Sequence, residues 1–358
     1  MKEKVDIKSV AAYCGVAIST VSRVLNNRPD VSQKTRENVF AAVQKLGYVP
    51  NNSARNLAKT GSDCVVIIAR GRGNPFLVRI ISAAEECIRE NGCFSVIRPI
   101  DSQEDELRTA SVLVAENKPL GVLLVGGRSD YTQEDIDVLG VPFVCVSFTN
   151  AFGTLDEHVC SSVSIDDAAE AQRAVTHLIK NGHRSIATLL AVEEDRSISD
   201  LRKAGYCAAL VEAGIPIDEG LIEYCGSFDM EDAHAAALRL FDRRRDFTAI
   251  FAITDLFAVA SIKAAAERGI KVPDDLSIMG MDGLPFTRYT LPELTTLEQP
   301  AERMGEESAL LLFSMLRSKN NARHLTLPAK LRYGGTVKRY NPQKTQVKGT
   351  VPNKSGIA

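Results

Sequence analysis

The chain has no tryptophan, no Cys-x-x-Cys pair and no apolar run approaching the roughly 18 residues that span a bilayer. Each absence excludes something. Eight cysteines scattered over 358 residues do not make a disulfide framework and read as reduced thiols. The five histidines (158, 177, 183, 234, 324) lack metal-ligand spacing, so no metal is expected. There is no Gly-x-Ser-x-Gly elbow and no Gly-Lys-Ser/Thr phosphate loop. Gly71-Arg72-Gly73 begins like a dinucleotide loop, but Phe76 fills the third glycine position and the fingerprint fails. The opening Met1-Lys2-Glu3-Lys4-Val5-Asp6 is charged where a signal peptide is apolar. These readings predict a cytoplasmic protein with no membrane partner, no catalytic residues and no cofactor.

What is present is ordinary globular composition, 45% hydrophobic and 25% charged, with a net charge of −2 that conceals an asymmetry. Residues 1–61 hold ten Lys or Arg against four Asp or Glu, a balance of +6, and the remainder carries −8. A small basic head on a large acidic body suggests a polyanion-binding module joined to something else.

The head reads as helices. Asp6 can N-cap a first short helix with Val10, Ala11 and Cys14 inward, and Gly15 supplies the tight turn after it. A second helix runs from about Ile18 to Asn26, with Val21, Val24 and Leu25 at helical spacing. Ser32 caps a third through Leu46, with Val39, Phe40, Val43 and Leu46 inward and Gly47 as its stop. Two short helices around a glycine turn, braced by a third, form a helix-turn-helix unit, whose second helix enters the DNA major groove.

The string itself is more specific than its spacing. Val10-Ala11-Ala12-Tyr13-Cys14-Gly15-Val16-Ala17-Ile18-Ser19-Thr20-Val21-Ser22-Arg23-Val24-Leu25-Asn26 closely resembles the N-terminal signature of the lactose-repressor (LacI/GalR) family. Val31-Ser32-x-x-Thr35-Arg36 and Leu46-Gly47-Tyr48-Val49-Pro50-Asn51 continue the match, which extends to about Tyr340. The resemblance implies that Ile18, Ser19 and Arg23 read base edges. Arg23 has the fork for guanine O6 and N7, and Ile18 could pack on a thymine methyl. Thr20, Ser22 and Asn26 suit phosphate contacts. Asn51 belongs to the same DNA-binding set, and Leu57, in Asn51 to Ala58, matches the residue that wedges between central base steps. Two such hinges require a homodimer on a roughly palindromic, double-stranded operator. Ala17 departs from the family's usual serine.

After Cys64 the pattern alternates. Apolar runs at Cys64–Ala69, Phe94–Ile97, Val122–Val125 and Phe143–Ser147 are separated by helix-like stretches at 76–91, 104–117 and 132–139. A second series has runs at Ile186–Leu190, Leu221–Tyr224, Ala249–Ile253 and Leu276–Met281, with helices near 198–214, 230–243 and 256–268. Alternation of this kind predicts two parallel-sheet α/β subdomains with ligands at the strands' carboxyl ends.

The full expectation is an N-terminal all-α helix-turn-helix domain (1–50), a hinge helix and linker (51–61) and an α/β periplasmic-binding-protein-like core (62–340). The core's subdomains are placed at 62–161 with 291–322 and at 162–290 with 323–340, followed by a disordered tail at 341–358. By resemblance Asn74, Phe76, Ser147, Arg202, Phe228, Thr254 and Asp282 face the effector, with Arg202 forking onto it, Phe228 stacking under a sugar ring and Asp282 accepting from hydroxyls. Ser147 stands where sugar-responsive members often carry aspartate, and Thr254 where asparagine is common. Arg70 and Arg72 are either solvated loop charges or, facing the cleft, a site for an anionic effector. The resulting expectation is a transcription regulator, most simply a repressor of carbohydrate-utilisation genes controlled by a small sugar. A corepressor-type regulator answering to a sugar phosphate or purine, or a sugar-binding enzyme, are the alternatives.

Overall fold

A computed structural model describes residues 6–25, 30–48, 63–318 and 322–341. Its contacts divide the chain into two units, residues 1–62 and 63–358.

The first unit is helical: α1 (Ile7–Cys14), α2 (Ile18–Leu25) and α3 (Gln33–Leu46). Asp6 caps α1 reciprocally, its carboxylate accepting from the Ser9 amide at 2.8 Å. Gly15 ends α1 at φ 64, a left-handed turn that a side chain would strain. Val10, Ala11, Val21, Val24, Val39 and Ala42 form the core. Phe40, expected inward, is instead 49% exposed. The inward face of α3 follows 39, 42, 43 and 46 at helical spacing, and position 40 lies about 100° away from 39.

The second unit holds two six-stranded sheets. The first contains β1 (Cys64–Arg70), β2 (Phe94–Ile100), β3 (Gly121–Val125), β4 (Phe143–Val146), β5 (Ser161–Ser164) and β11 (His324–Thr326), in the order β11-β5-β4-β3-β1-β2. The second contains β6 (Ile186–Leu190), β7 (Ile222–Tyr224), β8 (Ala249–Ala252), β9 (Ser277–Asp282), β10 (Thr295–Glu298) and β12 (Lys330–Arg332), in the order β12-β10-β9-β8-β6-β7. Among the described residues the strand pairings are parallel except β10 with β12. The central strands β1, β3, β4 and β8 are apolar almost throughout because both of their faces are buried. β2 lies at an edge, where Pro99 costs no ladder bond on its free side.

The helices are α4 (Pro75–Glu90), α5 (Glu106–Asn117), α6 (Gln133–Asp137), α7 (Asp167–Lys180), α8 (Ile198–Glu212), α9 (Met230–Arg243), α10 (Asp255–Glu267) and α11 (Ala301–Arg317). Gly305 on α11 allows it to pack against α4, since a Cβ there would sit 2.2 Å from the Ile80 carbonyl.

Sheet membership moves the expected subdomain boundaries. Ser161–Ser164 and His324–Thr326 pair within the first sheet, whereas Thr295–Glu298 pairs with β9 in the second. The chain therefore crosses between β5 and β6, between β10 and α11, and between β11 and β12. The hinge at 51–61 and all of the 341–358 tail beyond Asn341 lie outside the described residues.

Candidate functional site

The DNA-facing candidates sit on α2. Its apolar side, Val21 and Val24, is fully buried, which turns Ile18, Ser19 and Arg23 outward and leaves Thr20 and Ser22 half-buried. Ile18 is 44% exposed, unusual for isoleucine unless something covers it. Arg23 makes an ion pair with Asp30 at 3.2 Å, both side chains more than half exposed. Asn26, Asn51 and Leu57 lie outside the described residues.

Ala17 occupies the cap of this helix, since its carbonyl accepts from the Thr20 and Val21 amides. Alanine supplies no side-chain oxygen for the free amides of the first turn. Ala17→Ser should stabilise the helix by about 0.5–2 kcal/mol. The same change should tighten operator binding in a titration at fixed salt, and an unchanged or weaker affinity would count against it.

In the second unit a cavity of about 380 Å³ opens between the two sheets, at the carboxyl ends of their strands. Asn74, Phe76, Ser147, Arg202, Phe228, Thr254 and Asp282 all line it, as do Arg70 and Arg72. The two sheets deliver these residues symmetrically. The segments after β1, β3 and β4 bring Arg70 to Leu77, Gly126, Gly127, Ser147 and Phe148. The ends of β6, β8 and β9 bring Val192, Asp195, Ser197, Ile198, Thr254 and Asp282.

Backbone strain gathers here. Ser147 has φ 67 and Asp282 φ 129, conformations that side chains avoid unless their surroundings impose them. Gly127 is required by space: a Cβ would lie 2.5 Å from Phe148.

The floor of the cleft is a buried charge cluster. Arg202 is 1% exposed, and its Nε and Nη2 both reach Asp167 Oδ1 at 2.8 Å. Nη1 donates to the Ile253 carbonyl at 2.5 Å and lies 3.8 Å from Asp282 Oδ1. Arg202, expected to fork onto an effector, lines the cleft with its fork engaged by Asp167. A guanidinium this deep requires a carboxylate partner, and sequence spacing did not reveal which one. Asp166 caps α7 through the Ala169 amide, leaving Asp167 for Arg202. Two adjacent aspartates at one helix start, with only one needed as cap, were the available signal.

Asp282 also accepts from Gln299 Nε2 at 2.8 Å. Burial outweighs the Arg202 charge and pushes its carboxyl up to about 8. Behind it Asp255, which accepts from the Leu284 amide and the Thr296 hydroxyl, is raised by burial to about 6. Asp167 is raised as well, burial again exceeding the attraction of Arg202. In the interval between the ordinary carboxylate value of 3.8 and about 8, the folded core keeps a proton on Asp282 that the unfolded chain releases. Stability conferred by that proton is complete below the lower value and lost as pH rises through the upper one. The core should melt at lower temperature at about pH 8.5 than at about pH 6, and Asp282→Asn should flatten the difference. A pH-independent melting temperature would contradict this.

The remaining candidates have defined tasks. Asn74 caps α4 through the Phe76 amide at 2.9 Å, leaving its NH₂ group for the cleft. Thr254 caps α10, its hydroxyl accepting from the Phe257 amide at 3.2 Å. Phe228 lies 6.3 Å from Phe257, ring to ring, and is half-buried. Arg72 is tied to Asp101 at 3.1 Å and Glu104 at 3.8 Å. Asp195, Asp229 and Glu231 also line the cavity and were not foreseen from the sequence.

Elsewhere His183 is buried between Thr248 Oγ1 at 2.9 Å and the Lys338 carbonyl at 3.0 Å. Among the described residues no cluster of His, Cys, Asp and Glu could hold a metal ion, and no helix is long and apolar enough to cross a membrane.

Comparison with known proteins agrees with this geometry. Residues 6–51 match the family described as bacterial regulatory proteins, lacI family, and residues 175–337 match a periplasmic binding protein-like domain. The HTH-type transcriptional regulator MalR of Clostridium butyricum is 36% identical over 91% of this chain and 97% of its own. The regulator CelR of Thermobifida fusca is 34% identical over 86% and 90%, and the repressor CytR of Escherichia coli K12 is 31% identical over 88% and 90%. A solved complex of the regulator CelR with cellobiose superposes with a TM-score of 0.68 at 31% identity, covering 93% of this chain and 99% of that one. The operator-bound lac repressor dimer shares the fold, with a TM-score of 0.74 at 24% identity, covering 94% of this chain and 100% of that one. These relatives are regulators of transcription rather than enzymes. The chain belongs to the lacI family of bacterial regulatory proteins, DNA-binding regulators of transcription.

Proposed function

We propose that this regulator is a homodimeric repressor of carbohydrate-utilisation genes whose operator affinity is set by a neutral sugar bound in the cleft. The charge balance of the cleft carries the reading. Its lining includes three arginines, at 70, 72 and 202, and four acidic residues, at 195, 229, 231 and 282, of which Asp282 keeps its proton up to about pH 8. Two of those arginines are already held by other carboxylates, at 167 for Arg202 and at 101 and 104 for Arg72. A phosphate would enter against uncompensated negative charge, whereas hydroxyls can both donate to carboxylates and accept from N–H groups. Phe228 offers an apolar face on which a sugar ring can stack, and a similar regulator has been solved with cellobiose. The positions of Arg70 and Arg72 on the lining favour the sugar-phosphate alternative, but the carboxylates around them oppose it.

A ligand that bridges the two sheets favours one angle between them over another. Turning a 1:99 population into 99:1 needs about 5.5 kcal/mol of differential binding, a few charge-assisted hydrogen bonds. The test is a fluorescence-anisotropy titration of palindromic operator DNA with and without neutral sugars. One such sugar should change operator affinity about tenfold or more, and a response to purines or sugar phosphates alone would overturn the proposal.

A further inference from the structure

Two loops meet at the rim of the cleft and tie one wall to the other. The first, residues 126–131, follows β3, and its Ser129 amide donates to the Arg196 carbonyl at 3.1 Å. Arg196 lies between β6 and α8, in the second sheet's half. The bond's neighbours Gly127, Asp195 and Ser197 line the cavity. Both loops are braced behind it. Asn150 bonds the amide and the carbonyl of Tyr131, at 2.7 and 2.9 Å, and the Ser129 carbonyl accepts from the Phe152 amide at 2.7 Å. Opposite, Asp195 Oδ1 accepts from the Ser197 amide at 3.0 Å and Asp200 Oδ2 from the Arg196 amide at 2.9 Å. Those bonds hold Glu194 and Arg196 at φ 51, a conformation that side chains resist.

A side chain makes the same crossing. Ile198, the first residue of α8, packs against the apolar cluster that includes Tyr131, Phe143 and Phe148. Every other member of that cluster among the described residues comes from positions 64–160, the first sheet's half. Ile198 is half-buried and lines the cavity, so its burial depends on the walls staying together. A further bond between the walls, from Arg79 Nη1 to the Gly283 carbonyl at 3.4 Å, lies beside a crossing segment, where Arg79 also pairs with Glu302 at 2.9 Å. Ser129, Arg196 and Ile198 stand outside the crossing segments. Chain connectivity does not hold their loops together; the hydrogen bond and the apolar contact do.

We propose that Ile198 and the Ser129–Arg196 bond form a clasp that keeps the cleft at a closed angle, where residues of both walls face one ligand. This rests on the reading of the cleft as the effector site, not on which effector fills it. An open cleft offers a ligand one wall at a time, so affinity falls in proportion to the closed fraction. The clasp keeps the site formed before a ligand arrives.

The test is hydrogen–deuterium exchange of the full chain without ligand, read by mass spectrometry. Ile198→Ala should speed exchange in peptides covering residues 127–131 about tenfold or more, although the altered residue belongs to the other wall. Peptides from β3 should keep their rates, and Val211→Ala, at an exposed position of the same helix, should leave 127–131 as in wild type. Should Ile198→Ala loosen the whole unit, Ile198→Val, one methylene smaller, must show the local pattern. Exchange at 127–131 that is unchanged in both variants, or raised no more than in β3, overturns the clasp. Calorimetry with glucose, galactose, ribose, maltose and cellobiose reads its coupling to binding. A sugar held by wild type should bind Ile198→Ala about tenfold more weakly, and equal affinity overturns the clasp as well. Binding of none of these sugars overturns the sugar reading alone, and the exchange result then decides the clasp.

Discussion

Replacing Arg202 with alanine is expected to abolish the response to any cleft ligand and to destabilise the unit formed by residues 63–341 by about 3–5 kcal/mol. The magnitude follows from what the side chain leaves behind. Asp167 and Asp282 are both almost fully buried, at 4% and 3% exposure, and Arg202 is the cation close to each. Removing it leaves Asp167 without its cation in a low-dielectric floor, beside the protonated Asp282, and frees the Ile253 carbonyl. Arg202→Lys should recover little, since one ammonium cannot serve Asp167 and Ile253 in the fork geometry the guanidinium provides. Denaturant unfolding should show the lower midpoint with an unchanged slope. The deficit should shrink at low pH, where the stranded Asp167 takes up a proton. A variant within about 1 kcal/mol of wild type would mean that the floor is not the ion cluster described.

Arg23→Ala should behave in the opposite way, leaving the fold intact and striking recognition. Arg23 is exposed and its partner Asp30 equally so, with side-chain exposures of 61% and 53%. Such a pair contributes about 0–1 kcal/mol to folding and yields readily to a stronger acceptor. In the major groove that acceptor is the O6 and N7 edge of guanine. The expected loss is about 1–3 kcal/mol of operator affinity, concentrated at one base pair, with preference there relaxed. Titrations against operators mutated singly at each position distinguish this from a phosphate contact, whose loss weakens every sequence alike.

Much of the fold was legible because its inner strands are buried on both faces. Cys64 to Ala69 is continuous apolar sequence, and that run is β1 almost to the residue. The rest was hidden for a physical reason. β5 is Ser161-Ser162-Val163-Ser164, fully buried yet mostly hydroxyl, and β11 and β12 are three residues each. Their sheet is decided by which edge they pair with, which periodicity does not encode. That is why the crossing points shifted. In the head, the expected inward face of α3 took in Phe40, whereas the buried face passes through Ala42.

The site divides similarly. The positions lining the cleft could be carried over from the family pattern, because strand ends fix them. The network beneath them could not. Asp167 lies 35 residues before Arg202, and their pairing depends on α7 and α8 meeting in space. Asp195 sits in a loop whose strained backbone has no signature in residue type.

Whether a neutral sugar occupies this cleft is tested most directly by one thermal-shift plate. Purified protein is melted with neutral sugars, sugar phosphates and nucleobases, each in excess. A ligand at about 100 times its Kd adds about 2.7 kcal/mol to the folded state, a displacement easily seen. A raised melting temperature is expected with at least one neutral sugar and none with its phosphate ester. A shift produced only by nucleobases or phosphorylated sugars would contradict it, while leaving the DNA-binding head as described.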